Sequence, residues 1–522
     1  MTRGACADRL PPVGDRVVVI GAGHNGLVCA CRLAAAGLDV TVLEHAAVAG
    51  GATSSAEVTL PGFVHDLHAG FFPSTLASPT MRSLQLERHG LEWVSPPTPM
   101  VHPFDDGTAI ELSVDLGATA ASLEAAAPGC GTAWSDFVRR LHPHREALMA
   151  ATFTRLPPLV SGVRLAAGMP RELFELTRRG VASADALGKE LFGDDRATAW
   201  LCGSAMHAGI EPRTSPSGGF ALVLHLLGHW VGWPFPRGGA GALVAALEAH
   251  LAELGGGVRT RATVERIEVA GGRATGVVLE TGERVPADAV VATMSAGALA
   301  PLLPHDALPA RVQRRLRTWR YAPGAFKVDF ALAGPVPWRA PAARRAAVVH
   351  VGGELRDLMG ATQAPNRGDV ADRPALVVGQ HTLFDPSRAP AGRHTLYTYA
   401  HVPSVRDVPD DDFADRMQAQ IERFAPGFGE LVLARAIRTP EQAQSDNPSL
   451  VGGDLSGGAL EVDQAAIFRP APELARGRTP LRGLYVAGAS VHPGPAVHGA
   501  SGDAAARSLL EDRAPWRVWR RA

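Results

Sequence analysis

The period of the apolar positions changes along the chain, and each change marks an element. Val17-Val-Val-Ile20 is an unbroken β-branched run, the pattern of a strand buried on both faces. Leu27 to Gly37 is rich in Ala and Leu and stops on glycine, which predicts a helix closed at Gly37. Asp39 to Leu43 is a second apolar run with an acid, Glu44, at its end. From Ser83 the spacing turns helical, and His89-Gly-Leu-Glu-Trp93 leads out of that helix into a strand. Phe104-Asp-Asp-Gly107 reads as a turn between strands. Residues from about Ala118 to Leu191 keep a helical period broken by prolines and glycines, so a largely helical insertion is expected.

After Pro234 a helix is expected to run to about Leu254, ended by Gly255-Gly-Gly257. Val258 to Ala270 alternates as one strand, Gly271-Gly272 makes a hairpin turn, and Ala274 to Leu279 returns. Ala287 to Thr293 and Leu484 to Ala489 read as further buried strands. A loop, His492 to Gly499, and a small-residue helix from about Ser501 to Asp512 close the pattern. Nucleotide-fold elements therefore recur in three pieces, 14–75, 234–300 and 476–512. The simplest α/β architecture is one discontinuous cofactor domain. An α+β substrate domain is then built from 76–233 and 301–475, with tails at 1–13 and 513–522.

The turn between the first strand and helix is Gly21-Ala22-Gly23-His24-Asn25-Gly26. Gly21 permits the sharp turn, Gly23 lets backbone approach a pyrophosphate, and Gly26 lets helix and strand pack closely. The free N–H groups and dipole of the helix N-terminus favour the phosphates. Glu44, eighteen residues past Gly26, is placed to bond ribose hydroxyls and would repel a 2′-phosphate, so FAD or NAD is favoured over NADP. His45 follows it, and Gly50-Gly51 again permits close backbone approach. No second strand-GxGxxG-helix unit occurs, which argues for one dinucleotide and against a nicotinamide domain.

Composition changes this picture little. The 522 residues are 46% hydrophobic and 20% charged, with a net charge of −1, so nucleic acid is not an expected partner. Cys6, Cys29, Cys31, Cys130 and Cys202 form no C-x-x-C, which argues against a dithiol relay or a zinc site. Met1 to Asp15 lacks the apolar core of a signal peptide, and a cytoplasmic protein is expected. Thr214 to Pro236 is the longest stretch without Asp, Glu, Lys or Arg. Its histidines, glycines and prolines suit a buried pocket element better than a membrane span, with a peripheral membrane contact as the alternative. His65, His68, His225, His229, His492 and His498 invite a metal reading. His225 and His229 lie four apart, but no third ligand is evident, so no metal is expected.

These pieces resemble the FAD-dependent amine oxidase and phytoene desaturase superfamily, in the branch of phytoene desaturase-like proteins and carotenoid isomerases. The resemblance is carried by Gly21–Gly26, Glu44, Gly50-Gly51, Pro61-Gly-Phe with Asp66, Pro236 to Leu243, and Val264 to Thr293. Asn447 to Asp454, Phe468-Arg-Pro470, Tyr485 to Gly494 and Val497-His-Gly499 carry it further. It implies a glutathione-reductase-type Rossmann domain with non-covalent FAD. By position it puts Val264 at the adenine, Gly488 and Ala489 at the pyrophosphate, and Val497 to Gly499 beside the flavin ring. Ala489 stands where many FAD enzymes carry an acid, and Ala52 where relatives often have arginine. The resemblance also implies that Lys327 is the flavin-side lysine of amine oxidases, reacting with oxygen, and that His492 and His498 tune the flavin or touch substrate. The activity it implies is hydride transfer from a hydrophobic small molecule to flavin N5, with oxygen or a quinone-like acceptor taking the electrons. A reduced-FAD polyene isomerase and a non-catalytic flavin-bound interaction protein are the alternatives.

Overall fold

A computed structural model describes residues 15–404 and 409–513. Residues 1–14 and 514–522, with Cys6 and nearly all of both expected tails, lie outside them. The run at Val17 belongs to a strand, Arg16–Ile20, at the centre of a five-stranded parallel sheet. The strand order is Leu484–Val486, Ala289–Ala292, Arg16–Ile20, Asp39–Leu43, Gly257–Arg259, so one sheet gathers three distant stretches of chain. Val17 and Val19 pack under the helices His24–Ala35, Gly241–Glu253 and Ala500–Arg513. Val18 and Ile20 pack against the other face, beneath an antiparallel sheet of Val264–Ala270, Arg273–Leu279 and Arg284–Pro286. Burial on both faces is why that sequence run does not alternate.

A seven-stranded mixed sheet forms the second layer system. Its order is Val432–Arg438, Gly324–Leu332, His394–Val402, Leu376–Gly379, Val348–Val351, Met100–Pro103, Ala109–Leu112. The strand Gly324–Leu332 is buried throughout, and its two faces differ in chemistry. Phe326, Val328 and Phe330 point into an apolar core with the helix Asp410–Phe424. Ala325, Lys327 and Asp329 take the opposite face by the period of two. Helices between Leu116 and Trp230 cover part of that face through Trp134 and Trp200, joined by Trp233 from the loop that follows.

Three local expectations change. The helix expected from Ser83 lies earlier, as Pro73–Ala77 and Pro79–Arg82, with only a 3₁₀ turn at Leu86–His89. Pro73 and Pro79 pre-set helical φ at the first position, and Gln85 at φ 51° breaks the run. The strand expected over Val258–Ala270 is two strands, because Arg261 takes φ 53° and turns the chain out of the parallel sheet into the hairpin. The first helix begins at His24 rather than Leu27. Gly271 and Gly272, at φ 55° and 69°, make the hairpin turn as expected. Thr214 to Pro236 holds the helix Ser217–Trp230. Among the described residues no helix is long and apolar enough to cross a membrane.

Candidate cofactor and substrate site

The three glycines of the first turn have separate surroundings. A Cβ on Gly26 would lie 2.0 Å from the Gly21 carbonyl oxygen, so helix and strand touch there. Gly21 has φ 99°, and a Cβ would meet Thr293 Oγ1 at 2.6 Å. Thr293 Oγ1 donates to the Ile20 carbonyl at 2.6 Å, which locks the neighbouring strand to the turn. Gly23 is different: a Cβ there would find only the Gly50 carbonyl, at 4.0 Å. Its face is open, as an approaching pyrophosphate requires. Gly50 is bound edge-on to this turn, its N–H donating to the Ala22 carbonyl at 3.0 Å. Gly51 passes close to Gly23.

Glu44 is buried at the strand end. Its carboxylate accepts from the Ala22 N–H at 2.7 Å and the Ala46 N–H at 2.9 Å, and it pairs with His45 Nδ1 at 2.7 Å. Burial pushes its pKa up. The bonds from His45, Ala46 and Ala22 outweigh burial and hold it below the usual range, so it is a buried anion at the strand end. Glu44 in turn raises the pKa of His45. Val264 opens the hairpin opposite Leu279.

A second helix N-terminus converges on the first. The Gly488 N–H donates to Ser501 Oγ at 3.1 Å, and Ser501 Oγ donates to Asn25 Oδ1 at 2.9 Å. A Cβ on Gly502 would lie 2.1 Å from the Asn25 carbonyl oxygen, so the two helices meet backbone to backbone. Two positive dipole ends therefore face one locality. His24 Nε2 contacts Asn25 Nδ2 at 2.9 Å, and burial lowers the His24 pKa to about 4. The loop before the last helix is held from outside, where Thr75 Oγ1 donates to the Val497 carbonyl and Ser78 Oγ to the His498 carbonyl.

His498 has both ring nitrogens engaged in its own loop. Nδ1 accepts from the Ala500 N–H at 3.1 Å, and Nε2 lies 3.2 Å from the Gly494 carbonyl, which it reaches as a donor. Burial lowers its pKa to about 3, so it is a neutral cap on the last helix. His492 Nε2 donates to the Thr154 carbonyl at 3.1 Å, while its buried Nδ1 has no partner in the protein. His225 and His229 are core residues. His225 Nδ1 bonds the Ala221 carbonyl at 2.9 Å, and Trp134 Nε1 donates to His229 Nε2 at 2.9 Å.

Lys327 is buried mid-strand. Its ammonium pairs with Asp329 and lies 4.4 Å from the centre of the Tyr397 ring. Burial lowers its pKa against the pull of Asp329. Asp329 Oδ1 is 3.4 Å from His65 Nδ1, and His65 Nε2 is 2.8 Å from Thr59 Oγ1. Lys327 lines a narrow cavity with Leu67, His68, Tyr397, Tyr399 and Leu455.

Two fully buried arginines support this site, and their roles are invisible in the pattern. Arg388 NH1 donates to Asp66 at 2.7 Å and its NH2 to the Pro236 carbonyl at 2.8 Å. Asp66 accepts from the Ala240 N–H at 2.7 Å and from Ser55 Oγ at 2.7 Å. Asp385 accepts from the Gly238 N–H at 2.7 Å. The turn at 236–241 is thus latched from the seven-stranded sheet's side of the molecule. Arg469 donates to the Ala489 carbonyl at 2.8 Å and the Gly458 carbonyl at 3.2 Å. A buried guanidinium on carbonyls orients the backbone next to Gly488. The quoted motifs Pro236 to Leu243 and Phe468-Arg-Pro470 signalled that these stretches matter, not what they bond.

An anion-favouring double helix terminus, an open glycine face and a fixed carboxylate lie together, an arrangement able to receive a dinucleotide. The chain belongs to the flavin-containing amine oxidoreductase family, whose family model matches residues 26–510. It is an FAD-dependent oxidoreductase, and FAD is its cofactor. It is 29% identical to pyridine nucleotide-disulfide oxidoreductase domain-containing protein 2 of Mus musculus, over 97% of this chain and 94% of that protein. It is 29% identical to the zeta-carotene-forming phytoene desaturase of Myxococcus xanthus, over 92% of this chain and 90% of the desaturase. In fold it is similar to an oxidoreductase from Methanosarcina mazei, with TM-score 0.61 and 18% identity over 95% of this chain and 99% of that one. Among the described residues Cys29, Cys31, Cys130 and Cys202 are free and buried, and burial raises their thiol pKa values.

Proposed function

We propose that the protein is a dehydrogenase of a hydrophobic small molecule, with FAD held between 14–75, 234–300 and 476–512 and substrate held by the inserted segments. The carrying observation is the cavity wall. Leu67, Ala325, Tyr397, Tyr399, Ala443 and Leu455 supply most of its surface, the charge of Lys327 is met by Asp329 and covered by Tyr397, Arg438 is paired with Asp446, and burial keeps His68 neutral. Such a wall suits an apolar substrate better than an anion or a free amine. The similarity to a phytoene desaturase supports the same reading.

When bound, FAD supplies the hydride acceptor. Gly23 and the helix N-termini at His24 and Ala500 receive the pyrophosphate. Glu44 bonds the ribose, and Val264 contacts the adenine by its backbone. Gly488 and Ala489 complete the phosphate side, held by Ser501 and Arg469. Val497 to Gly499 offer backbone to the flavin edge. His498 is a positioning residue that acts through the helix it caps, and His492 presents its unpartnered Nδ1 to the same loop region. Lys327 with Asp329 is a net-neutral pair, so it offers little stabilisation to superoxide. A quinone-like acceptor would therefore be favoured over oxygen. We place the enzyme in the cytoplasm.

The test is anaerobic titration of the FAD-loaded protein with polyenes, terpenes and amines. Bleaching of the visible flavin bands by an apolar compound, with a new C=C bond in the product, is the expected result. Bleaching by amines alone would overturn the substrate class. Conversion of a polyene only after prior reduction, without loss of electrons, would make the enzyme an isomerase. Photoreduced protein is then mixed with air and, separately, with a soluble quinone. Faster reoxidation by oxygen would reverse the acceptor assignment.

A further inference from the structure

We propose that His89, His250 and Glu253 form a binding site for a divalent transition metal of the zinc type on the flank of the parallel-sheet lobe. His89 sits at the end of the 3₁₀ turn Leu86–His89, and His250 and Glu253 lie three apart on the helix Gly241–Glu253. His89 Nε2 is 3.0 Å from His250 Nδ1 and 3.4 Å from Glu253 Oε2, and His250 Nδ1 is 3.8 Å from the same oxygen. Zinc bonds of about 2.0–2.2 Å at tetrahedral angles put donor atoms about 3.3–3.6 Å apart. The three measured separations bracket that range. Among the described residues this is the one group of three metal-ligating side chains whose donor atoms converge so closely.

The local chemistry agrees. One proton can bridge only one pair of these atoms, whereas one ion satisfies all three lone pairs. His250 and Glu253 occupy the last turn of their helix, where the carbonyl end favours a cation. Arg32 opposes this charge, but it is paired with Asp503 at 3.0 Å. The Glu253 side chain is 68% exposed, so water can complete the fourth position. At 1.5 Å per residue His250 lies about 14 Å along the helix from Gly241, so the site stands apart from the Gly238–Gly241 turn.

The ion would act as a clamp. The turn it fixes follows the short helices whose Thr75 and Ser78 hold the carbonyls of Val497 and His498. Occupancy would therefore stiffen the support of the last cofactor-binding loop. The test uses tag-free, FAD-loaded full-length protein treated with EDTA and titrated with zinc chloride by calorimetry. One equivalent with micromolar affinity, and a higher Tm, are expected. Glu253→Gln and His89→Asn should each weaken binding at least tenfold and abolish the rise in Tm, with the flavin spectrum of the metal-free proteins unchanged. The mostly exposed Glu253 makes its variant safe for folding. No saturable binding, or equal affinity in wild type and both variants, would overturn the site.

Discussion

Gly23→Ala and Gly26→Ala, two changes three residues apart, should fail in opposite ways. At Gly26 the new Cβ would sit 2.0 Å from the Gly21 carbonyl oxygen and 3.2 Å from Thr293 Oγ1. The near neighbour is backbone, in a turn fixed by a central strand, so relief requires moving the helix His24–Ala35 off the sheet. Overpacking of this kind costs about 1–3 kcal/mol, and the upper end applies because no flexible side chain can yield. For a lobe of this size that is a fall of about 6–12 °C in Tm before any cofactor is added. At Gly23 the nearest atom is 4.0 Å away and φ is −70°, which alanine adopts freely. Alanine is a poorer N-cap than glycine by about 0.5–1 kcal/mol, but it lowers the entropy of the unfolded chain by about 0.4–1 kcal/mol, so the two nearly cancel and the apoprotein should melt within about 1–2 °C of wild type. The methyl group occupies the open face instead, and FAD affinity should fall at least about tenfold, or about 1.4 kcal/mol. The assay is thermal unfolding of deflavinated protein beside FAD titration followed by quenching of flavin fluorescence. If Gly23→Ala binds FAD like wild type, the pyrophosphate does not approach that face. If both variants destabilise the apoprotein equally, the separation of roles is wrong.

Asp66→Asn removes one of the two carboxylates that fully buried Arg388 meets, with Asp385 left at 3.2 Å, and should cost about 1–3 kcal/mol. It should also loosen the Gly238–Gly241 turn, so that flavin content after dialysis drops, and full retention of FAD would refute the latch. Lys327→Met takes the ammonium from Asp329 and leaves it His65 at 3.4 Å, and the loss of stability, about 3–5 kcal/mol, should be recovered in Lys327→Met/Asp329→Leu, as Tm values would show. Stability should fall steeply below pH 6.5. Burial holds His68, His207, His225 and His498 near a pKa of about 3, and His102 and His381 near about 4, so the unfolded chain takes these protons first. The stability is complete above the unfolded pKa and is lost as pH falls from it toward the folded values, at about 1.4 kcal/mol per group per pH unit. A urea midpoint that stays flat from pH 7 to pH 5 would contradict this neutral burial.

Local pattern alone carried the first βαβ unit, because each of its features is a short-range requirement. A doubly buried strand must be apolar throughout, a strand-to-helix turn against a phosphate must be glycine, and Gly37, Gly271 and Gly272 must take positive φ. The resemblance extended this to three pieces of one FAD fold, since their motifs repeat the same local demands. Where the helices near Ser83 begin was legible in Pro73 and Pro79 but masked by the helical spacing beyond them. Other features depended on which distant segments fold against one another. Asp66 and Arg388 are 322 residues apart, and His89 and His250 are 161 apart, so no spacing rule joins them. By the resemblance Lys327 matched the flavin-side lysine of amine oxidases. Only pairing of Gly324–Leu332 with His394–Val402 set it beside Tyr397, and only its sheet face set it beside Asp329 and His65. Sequence determines backbone conformations that are needed residue by residue. Burial, charge pairing and ligand convergence are properties of packed surfaces, and they exist only once the chain has brought those surfaces together.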